Sequence, residues 1–333
     1  MRLDSVISHV AFCSSESCPQ GIKPSRVLWY QRTPGKMNYT CNDYASQIYP
    51  LPPMYSIEMC VALAGNLFAL WLLLVRERRN WHTGVVFSCN LAICDVIYVL
   101  TLPLLIIYYV KEKQWTFGVA ACKIERFLFN CNLYVSIFFI MCISVNRYLA
   151  IVYPLFTRSH IRPKHAMITS AVVWLTVVIT LTPVLGFAGT HVRDNKTLCV
   201  SCFEDALDSS HFKYTVFLMV VGCMLPLLVT LASYLGVIWT VLKNENITTL
   251  EKRKVALMVS IVCVLYAISF VPYHVLQTYR VYLRMNLIFK CWVNYSYQVT
   301  KVLATLNMCI HPLLYMAVFD SIRTTCCGKS SGE

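Results

Sequence analysis

The sequence predicts an all-α membrane protein, a bundle of seven transmembrane helices, and three observations lead there. Of 333 residues, 57% are hydrophobic and 14% charged, where an ordinary soluble domain is about a quarter charged. The mean hydropathy is +0.58, spread along the chain rather than held in one segment. Seven apolar stretches are each long enough to cross a bilayer, which takes roughly 20 residues at about 1.5 Å rise apiece. A soluble globule is excluded. Nucleic acid is excluded as a partner too, because the basic residues behind the net charge of +13 are scattered between apolar runs and form no stripe for a phosphate backbone.

The first span, residues 54–75, carries Gly65-Asn66, and the second, 84–110, carries Asp95. The third, 119–150, has Arg126 near its start and Arg147 near its end, about 31 Å apart along a helix, so the two serve opposite membrane faces. The fourth, fifth and sixth, 166–188, 214–242 and 255–279, contain no Asp, Glu, Lys or Arg. An amphipathic helix of a soluble bundle would need a polar face, so these three must lie in lipid. The seventh, 292–318, carries Lys301 and His311. The expected organisation is an extracellular N-terminal segment over residues 1–53, the helical domain over 54–318 and a short cytoplasmic tail over 319–333. No internal repeat, low-complexity tract or soluble domain interrupts it. Met1 to Phe12 lacks an apolar core and carries Asp4 and His9, so no cleavable signal peptide is expected.

With the N-terminus outside, twelve Lys and Arg flank the spans on the cytoplasmic side and nine lie in or beside the outer loops, a weak positive-inside bias. Asn38-Tyr39-Thr40 and Asn195-Lys196-Thr197 are glycosylation sequons on the proposed outside. Cys326-Cys327, just past the last span, reads as a palmitoylation site on the proposed inside. Asn246-Ile247-Thr248 then falls in the cytosol and stays bare. The outer cations read as a basic mouth, with ordinary loop solvation as the alternative.

Eight of the 17 cysteines fall inside spans, where a thiol behaves as a small hydrophobe. Cys122 at the outer start of the third span can pair with Cys199 or Cys202 in the second outer loop, and Cys41 can tie the N-terminal segment to Cys291. Cys199-Val-Ser-Cys202 is weak evidence for zinc, and no metal or cofactor is expected.

Charged groups inside a span cost several kcal/mol unless they face a cavity. Arg126 shares a helical face with Asn130 and Tyr134, which makes a pocket wall; its alternatives are pairing with Glu125 or snorkelling to the outer interface. Lys301, with Gln298 on its face, is a second cation in the outer half of the last span. His274, Gln277 and Arg280 recur at helical spacing beyond Pro272, whose kink opens the backbone. Cations converging from three helices suit a polyanion, phosphate or carboxylate, since Arg forks match its oxygens and Lys adds a point charge. Phe129, Tyr134, Tyr273 and Tyr279 offer faces for a purine, with simple packing as the alternative. There is no H-E-x-x-H and no G-x-S-x-G, and Gly328-Lys329-Ser330 lacks the upstream glycine of a phosphate loop, so an enzyme is not expected. A transporter or channel is the rival of another class, weakened by the missing inverted repeat.

From residue 50 onward the chain resembles the rhodopsin-like G-protein-coupled receptors. The resemblance rests on Gly65-Asn66, Leu91-Ala-Ile-Cys-Asp95, Asn146-Arg147-Tyr148, Trp174, Pro226, Tyr234, Pro272 and His311-Pro312-Leu-Leu-Tyr315. Within that family, Cys122-Lys-Ile-Glu-Arg-Phe-Leu-Phe, Val271-Pro-Tyr-His and Tyr297-Gln-Val-Thr-Lys are similar to the metabotropic nucleotide purinoceptors. Trp81-His and Arg158-Ser-His-Ile-Arg-Pro-Lys-His are similar to an ATP-preferring subtype. The resemblance implies a plasma-membrane receptor for an extracellular nucleotide, ATP first, activating a heterotrimeric G protein: Gq to calcium, with Gs to cyclic AMP as a second route. A dicarboxylate or acidic lipid is the alternative ligand. It also implies phosphate contacts from Arg126 and Lys301, while Gln277 departs from a usual basic residue and Arg280 is its substitute. Asn146, Arg147, Tyr148, Pro272, His311, Pro312 and Tyr315 fall on the activation motifs. With Asn146 before Arg147, and Lys252 where some members have an acid, no inactive-state ion pair is expected. Asp95, Asn66, Ser136 and Asn307 resemble a mid-membrane sodium site in which His311 replaces an Asn or Asp, poised to pair with Asp95 or to stay neutral and hydrogen-bonded.

Overall fold

Proline sets the internal breaks of this fold. In the computed structural model, which describes residues 49–76, 82–193, 195–202, 209–245, 248–286, 288 and 290–326, with backbone alone for 313–326, ten α-helices and one hairpin are present: α1 (Leu51–Arg76), α2 (Thr83–Val99), α3 (Leu102–Val110), α4 (Gly118–Val152), α5 (Pro154–His160), α6 (Pro163–Phe187), β1 (Gly189–Arg193), β2 (Lys196–Val200), α7 (Ser209–Met219), α8 (Leu225–Lys243), α9 (Thr249–Met285) and α10 (Cys291–Cys326). The expected second span is two helices. The Pro103 ring would strike the carbonyl four residues back, at Val99, which is where α2 stops, and Thr101 Oγ1 donates to the carbonyl of Tyr98 at 2.7 Å. Pro226 acts likewise on the fifth span, which widens into a π-helical turn over Val220–Met224. The Tyr266 hydroxyl donates to the Cys223 carbonyl in that turn at 2.9 Å.

Among the described residues, six spans are long and apolar enough to cross a membrane: Leu51–Val75, Thr83–Val110, Gly118–Val152, Pro163–Phe187, Ser209–Lys243 and Lys252–Met285. α10 is the seventh long helix; its side chains are described as far as Pro312, and over that part Asn294, Gln298, Lys301, Asn307 and His311 interrupt the apolar run. Lys301, Asn307 and His311 are buried, so that polarity points into the bundle. The helix continues past the expected limit at 318 to Cys326, and α9 runs beyond 255–279 at both ends.

The helices close a ring in which α1 meets α2, α2 meets α4, α4 meets α8, α8 meets α9, α9 meets α10 and α10 returns to α1, with α6 packed outside on α2 and α4. Outward faces are apolar: Phe68, Trp71, Ile168, Leu175, Ile179, Leu228, Leu235 and Trp239 are exposed, while Asn66, Asp95, Arg147 and His311 are inside. This inverts the soluble pattern, as lipid requires. Two close approaches need glycine. A Cβ on Gly222 would sit 2.5 Å from Tyr134, and one on Gly236 would overlap the Tyr148 ring, so α8 and its π turn press against α4 at both levels.

Candidate ligand-binding site

The site is built at the end of the bundle that carries the hairpin. β1 and β2 pair antiparallel from Gly189↔Val200 to Arg193↔Lys196, and Asn195 in the turn adopts φ 59°, a left-handed conformation that Asn tolerates. The alternation of Thr190 to Val192 and Thr197 to Val200 about Asp194-Asn195 is a hairpin signal that a reading for helices passes over. Cys122 on α4 is disulfide-bonded to Cys199, with Cα atoms 5.6 Å apart, so Cys199 and not Cys202 is the partner. The loop before α4 grips the same strand, with the Trp115 amide donating to the Thr197 carbonyl at 2.7 Å and the Thr197 amide donating to Gln114 Oε1 at 2.9 Å. Outside the membrane spans, Lys196 Nζ donates to Glu112 Oε2 at 2.7 Å and holds that carboxyl below its usual range. Cys291 is disulfide-bonded, while Cys41 lies outside the described residues.

Below the hairpin the structure brings charges from three helices together. Arg126 Nη2 donates to the Cys199 carbonyl at 3.1 Å, and Nη1 lies 3.1 Å from Glu125 Oε2. The alternative of an Arg126–Glu125 pair is therefore what this structure contains. Lys301 Nζ lies 4.0 Å from the other oxygen of Glu125 and 4.5 Å from the Phe129 ring centroid, a cation–π contact. Arg126 and Lys301 are 7% and 3% exposed: the cations face inward, and the outer-interface alternative for Arg126 fails. On α1, Glu58 accepts from Thr305 Oγ1 at 2.8 Å. It was legible as a carboxylate inside the first span, yet no motif marks it. Tyr55 stacks on Tyr109, whose hydroxyl reaches Gln298 Oε1 at 3.4 Å.

Aromatic rings floor the cluster. Tyr273 packs against Phe129, His274 and Tyr297 at centroid distances of 5.7, 5.3 and 5.7 Å. His274 Nδ1 lies 2.8 Å from the Phe270 carbonyl, which only accepts, so Nδ1 carries the proton and Nε2 accepts from the Tyr134 hydroxyl at 3.0 Å. α4 and α9 are thereby joined. Asn130 turns back to its own helix, donating to the Arg126 carbonyl at 2.7 Å, and Gln277 Oε1 is buried without a hydrogen bond among the described residues. Arg280 stands at the rim, its Nε donating to Asn294 Oδ1 at 2.8 Å and its guanidinium over the Tyr297 ring. Tyr279 faces Trp292 rather than this floor. Arg280 and Asn294 also line a shallow, open depression with Arg284 and Lys290.

The description "7 transmembrane receptor (rhodopsin family)" matches residues 65–315. Purinoceptor 11 of Homo sapiens is 39% identical over 300 residues, 82% of this chain and 80% of that receptor. Purinoceptor 1 is 37% identical in Homo sapiens and 36% in Cavia porcellus, each over 286 residues, 83% of this chain and 76% of the relative. The chain belongs to the rhodopsin family, among the purinoceptors. It is a multi-pass membrane receptor, not an enzyme.

At mid-bundle this purinoceptor-family chain holds a second polar group. Asp95 Oδ2 lies 2.7 Å from His311 Nδ1, and Oδ1 accepts from Asn132 at 2.8 Å; Asn132 had carried no signal beyond being one more amide in a long helix. Asn66 does not reach Asp95. Its amide donates to the Met308 carbonyl at 2.9 Å, the group that Pro312 deprives of its helical partner four residues on, and to Ala62 at 2.9 Å. Asn307 turns to the Ala304 carbonyl at 3.5 Å, and Ser136 Oγ has no hydrogen bond among the described residues. Of the four expected sodium ligands only Asp95 is engaged across helices to a histidine.

At the end opposite the hairpin, Arg147 is buried. Asn146 accepts from Thr83 Oγ1 on α2 at 2.6 Å, and Lys252 donates to the Leu242 carbonyl at 2.9 Å. Tyr148 packs edge-on against Tyr153. Pro272 lies within α9 and Pro312 within α10. The side chains of Tyr315 and Cys326, and residues Asn38 and Cys327, lie outside the described residues. Asn195 is exposed.

Proposed function

We propose that the chain is a plasma-membrane receptor, N-terminus outside, for an extracellular nucleotide, with ATP as its ligand, and that it activates Gq toward calcium and Gs toward cyclic AMP. The observation that carries the reading is the approach of Arg126 and Lys301 to one another's counter-charge beneath a disulfide-tied hairpin, over a floor of Phe129, Tyr273 and Tyr297. Guanidinium and ammonium suit phosphate oxygens, and the rings suit a base. Arg280, Gln298, His274, Gln277, Asn130 and Tyr134 complete the binding set. Asn146, Arg147, Tyr148, Pro272, His311, Pro312 and Tyr315 serve coupling. The purinoceptor relatives support the nucleotide class. Glycans on Asn38 and Asn195, and acyl chains on Cys326 and Cys327, belong to the same topology, as does a Cys41–Cys291 bridge.

The test is a calcium and cyclic-AMP screen of expressing cells against nucleotides, succinate, 2-oxoglutarate and acidic lipids, with apyrase present in the controls. A response to ATP, with potency weakened for Arg126→Ala and Lys301→Ala at normal surface level, is expected. A response confined to dicarboxylates or lipids overturns the nucleotide reading.

A further inference from the structure

The cations of the binding cluster are already faced by an acid. Glu125 is 0% exposed, with Oε2 3.1 Å from Arg126 Nη1 and Oε1 4.0 Å from Lys301 Nζ. Neither oxygen accepts a hydrogen bond among the described residues. A carboxylate that is buried for good is normally hydrogen-bonded as well as paired, because desolvation otherwise exceeds the Coulombic gain. Glu125 has charge contacts alone. Its neighbour Arg126 likewise leaves Nε without a hydrogen bond among the described residues, although that nitrogen is part of the fork that grips an oxyanion. The cluster is thus charge-compensated but short of hydrogen bonds on both sides of the pair.

We propose that Glu125 is a built-in counter-ion and the charge-selecting residue of the ligand site: without ligand it occupies the field of Arg126 and Lys301 that ligand phosphates take over. The inference rests on the nucleotide reading above. A ligand must out-compete the carboxylate, and it does so in proportion to the negative charge it brings. Glu125 also stays behind, buried beside the bound anion, and repels it. Displacing the carboxylate costs every ligand alike, whereas the repulsion grows with the charge of the bound anion, so Glu125 holds affinity down in the order of phosphate number. A residue that only oriented Arg126 would behave differently: losing it would weaken every ligand alike.

The test is Glu125→Gln, which keeps size and removes charge, measured by competition binding of ATP, ADP and AMP on membranes beside the wild-type receptor. Affinity is expected to rise, about tenfold for ATP, less for ADP and least for AMP, since the removed repulsion scales with ligand charge. In detergent the ligand-free variant should melt lower than wild type, its two cations having lost their partner, while the stabilisation by saturating ATP should be larger. Unchanged or uniformly weakened binding across the three nucleotides overturns the counter-ion. A wild-type receptor that binds no nucleotide overturns the nucleotide reading itself and this inference with it. If Glu125→Gln does not reach the membrane, Glu125→Asp draws the charge back from Lys301; a smaller rise in the same order is expected, and a flat series overturns the proposal.

Discussion

Two buried carboxylates, at different depths of the bundle, are held in opposite ways. Asp95 at mid-bundle has both oxygens engaged, by Asn132 at 2.8 Å and His311 at 2.7 Å. Glu125, beneath the hairpin, has two cations near it and no hydrogen bond among the described residues. A satisfied network in a low dielectric rigidifies the structure around it, whereas a buried charge without hydrogen bonds leaves part of its desolvation cost uncompensated. The difference separates a group that joins helices from one that a ligand can replace.

The largest expected effect is at the satisfied group. Asp95→Ala strands the buried Asn132 and His311 groups that it holds, and each group left unsatisfied costs about 1 to 3 kcal/mol; melting temperature and surface level should both fall sharply, while Asp95→Asn retains part of each. Normal folding of Asp95→Ala would erase the contrast between the two carboxylates. Next come the cations of the unsatisfied group, where Arg126→Ala or Lys301→Ala should weaken agonist potency by roughly 1.5 to 3 kcal/mol, about ten- to a hundredfold, with surface expression kept. Unchanged potency in both would remove phosphate from this end of the bundle.

Gly222→Ala tests the join between the regions. The added methyl meets the Tyr134 ring, whose hydroxyl bonds His274, so an overpacking penalty of about 1 to 3 kcal/mol is expected in thermal melts. Tyr134→Phe, added to it, should then have little further effect. At the far end, Asn146 already accepts from Thr83. Asn146→Asp keeps that acceptor and adds charge beside Arg147, lowering apyrase-resistant basal signalling by a few-fold, about 1 kcal/mol or less at a partly wet mouth. An unmoved baseline would show that Arg147 is restrained through other contacts.

The smallest effect belongs to Glu112. Its depressed carboxyl pKa means that the Lys196 pair stabilises above the ordinary carboxylate range and is lost as pH falls through the lowered value. Both partners are exposed, so Glu112→Gln should leave the melting temperature unchanged at neutral pH, and a clear drop would mean that the hairpin depends on this tether.

Much of the architecture is written in composition. Lipid leaves only helices that satisfy their own backbone, so long runs without charge fix where the chain crosses, and the few ionisable residues inside them must turn inward. Helical spacing alone puts Arg126 and Arg147 at opposite ends and Lys301 level with neither His311 nor the tail. The partners were another matter. Nothing local distinguishes Cys199 from Cys202, because a hairpin register, not loop reach, decides which thiol meets Cys122. Glu58, Asn132 and Thr83 carry no motif, and each acquires its role from a helix far away in sequence. Asn66 shows the same limit from the other side: its place in a familiar string suggests an ion ligand, but the carbonyl freed by Pro312 lies closer and takes its amide. Periodicity and hydropathy act within one segment and so can be read along the chain, whereas pairing between segments depends on how close two helix faces come, which packing alone decides.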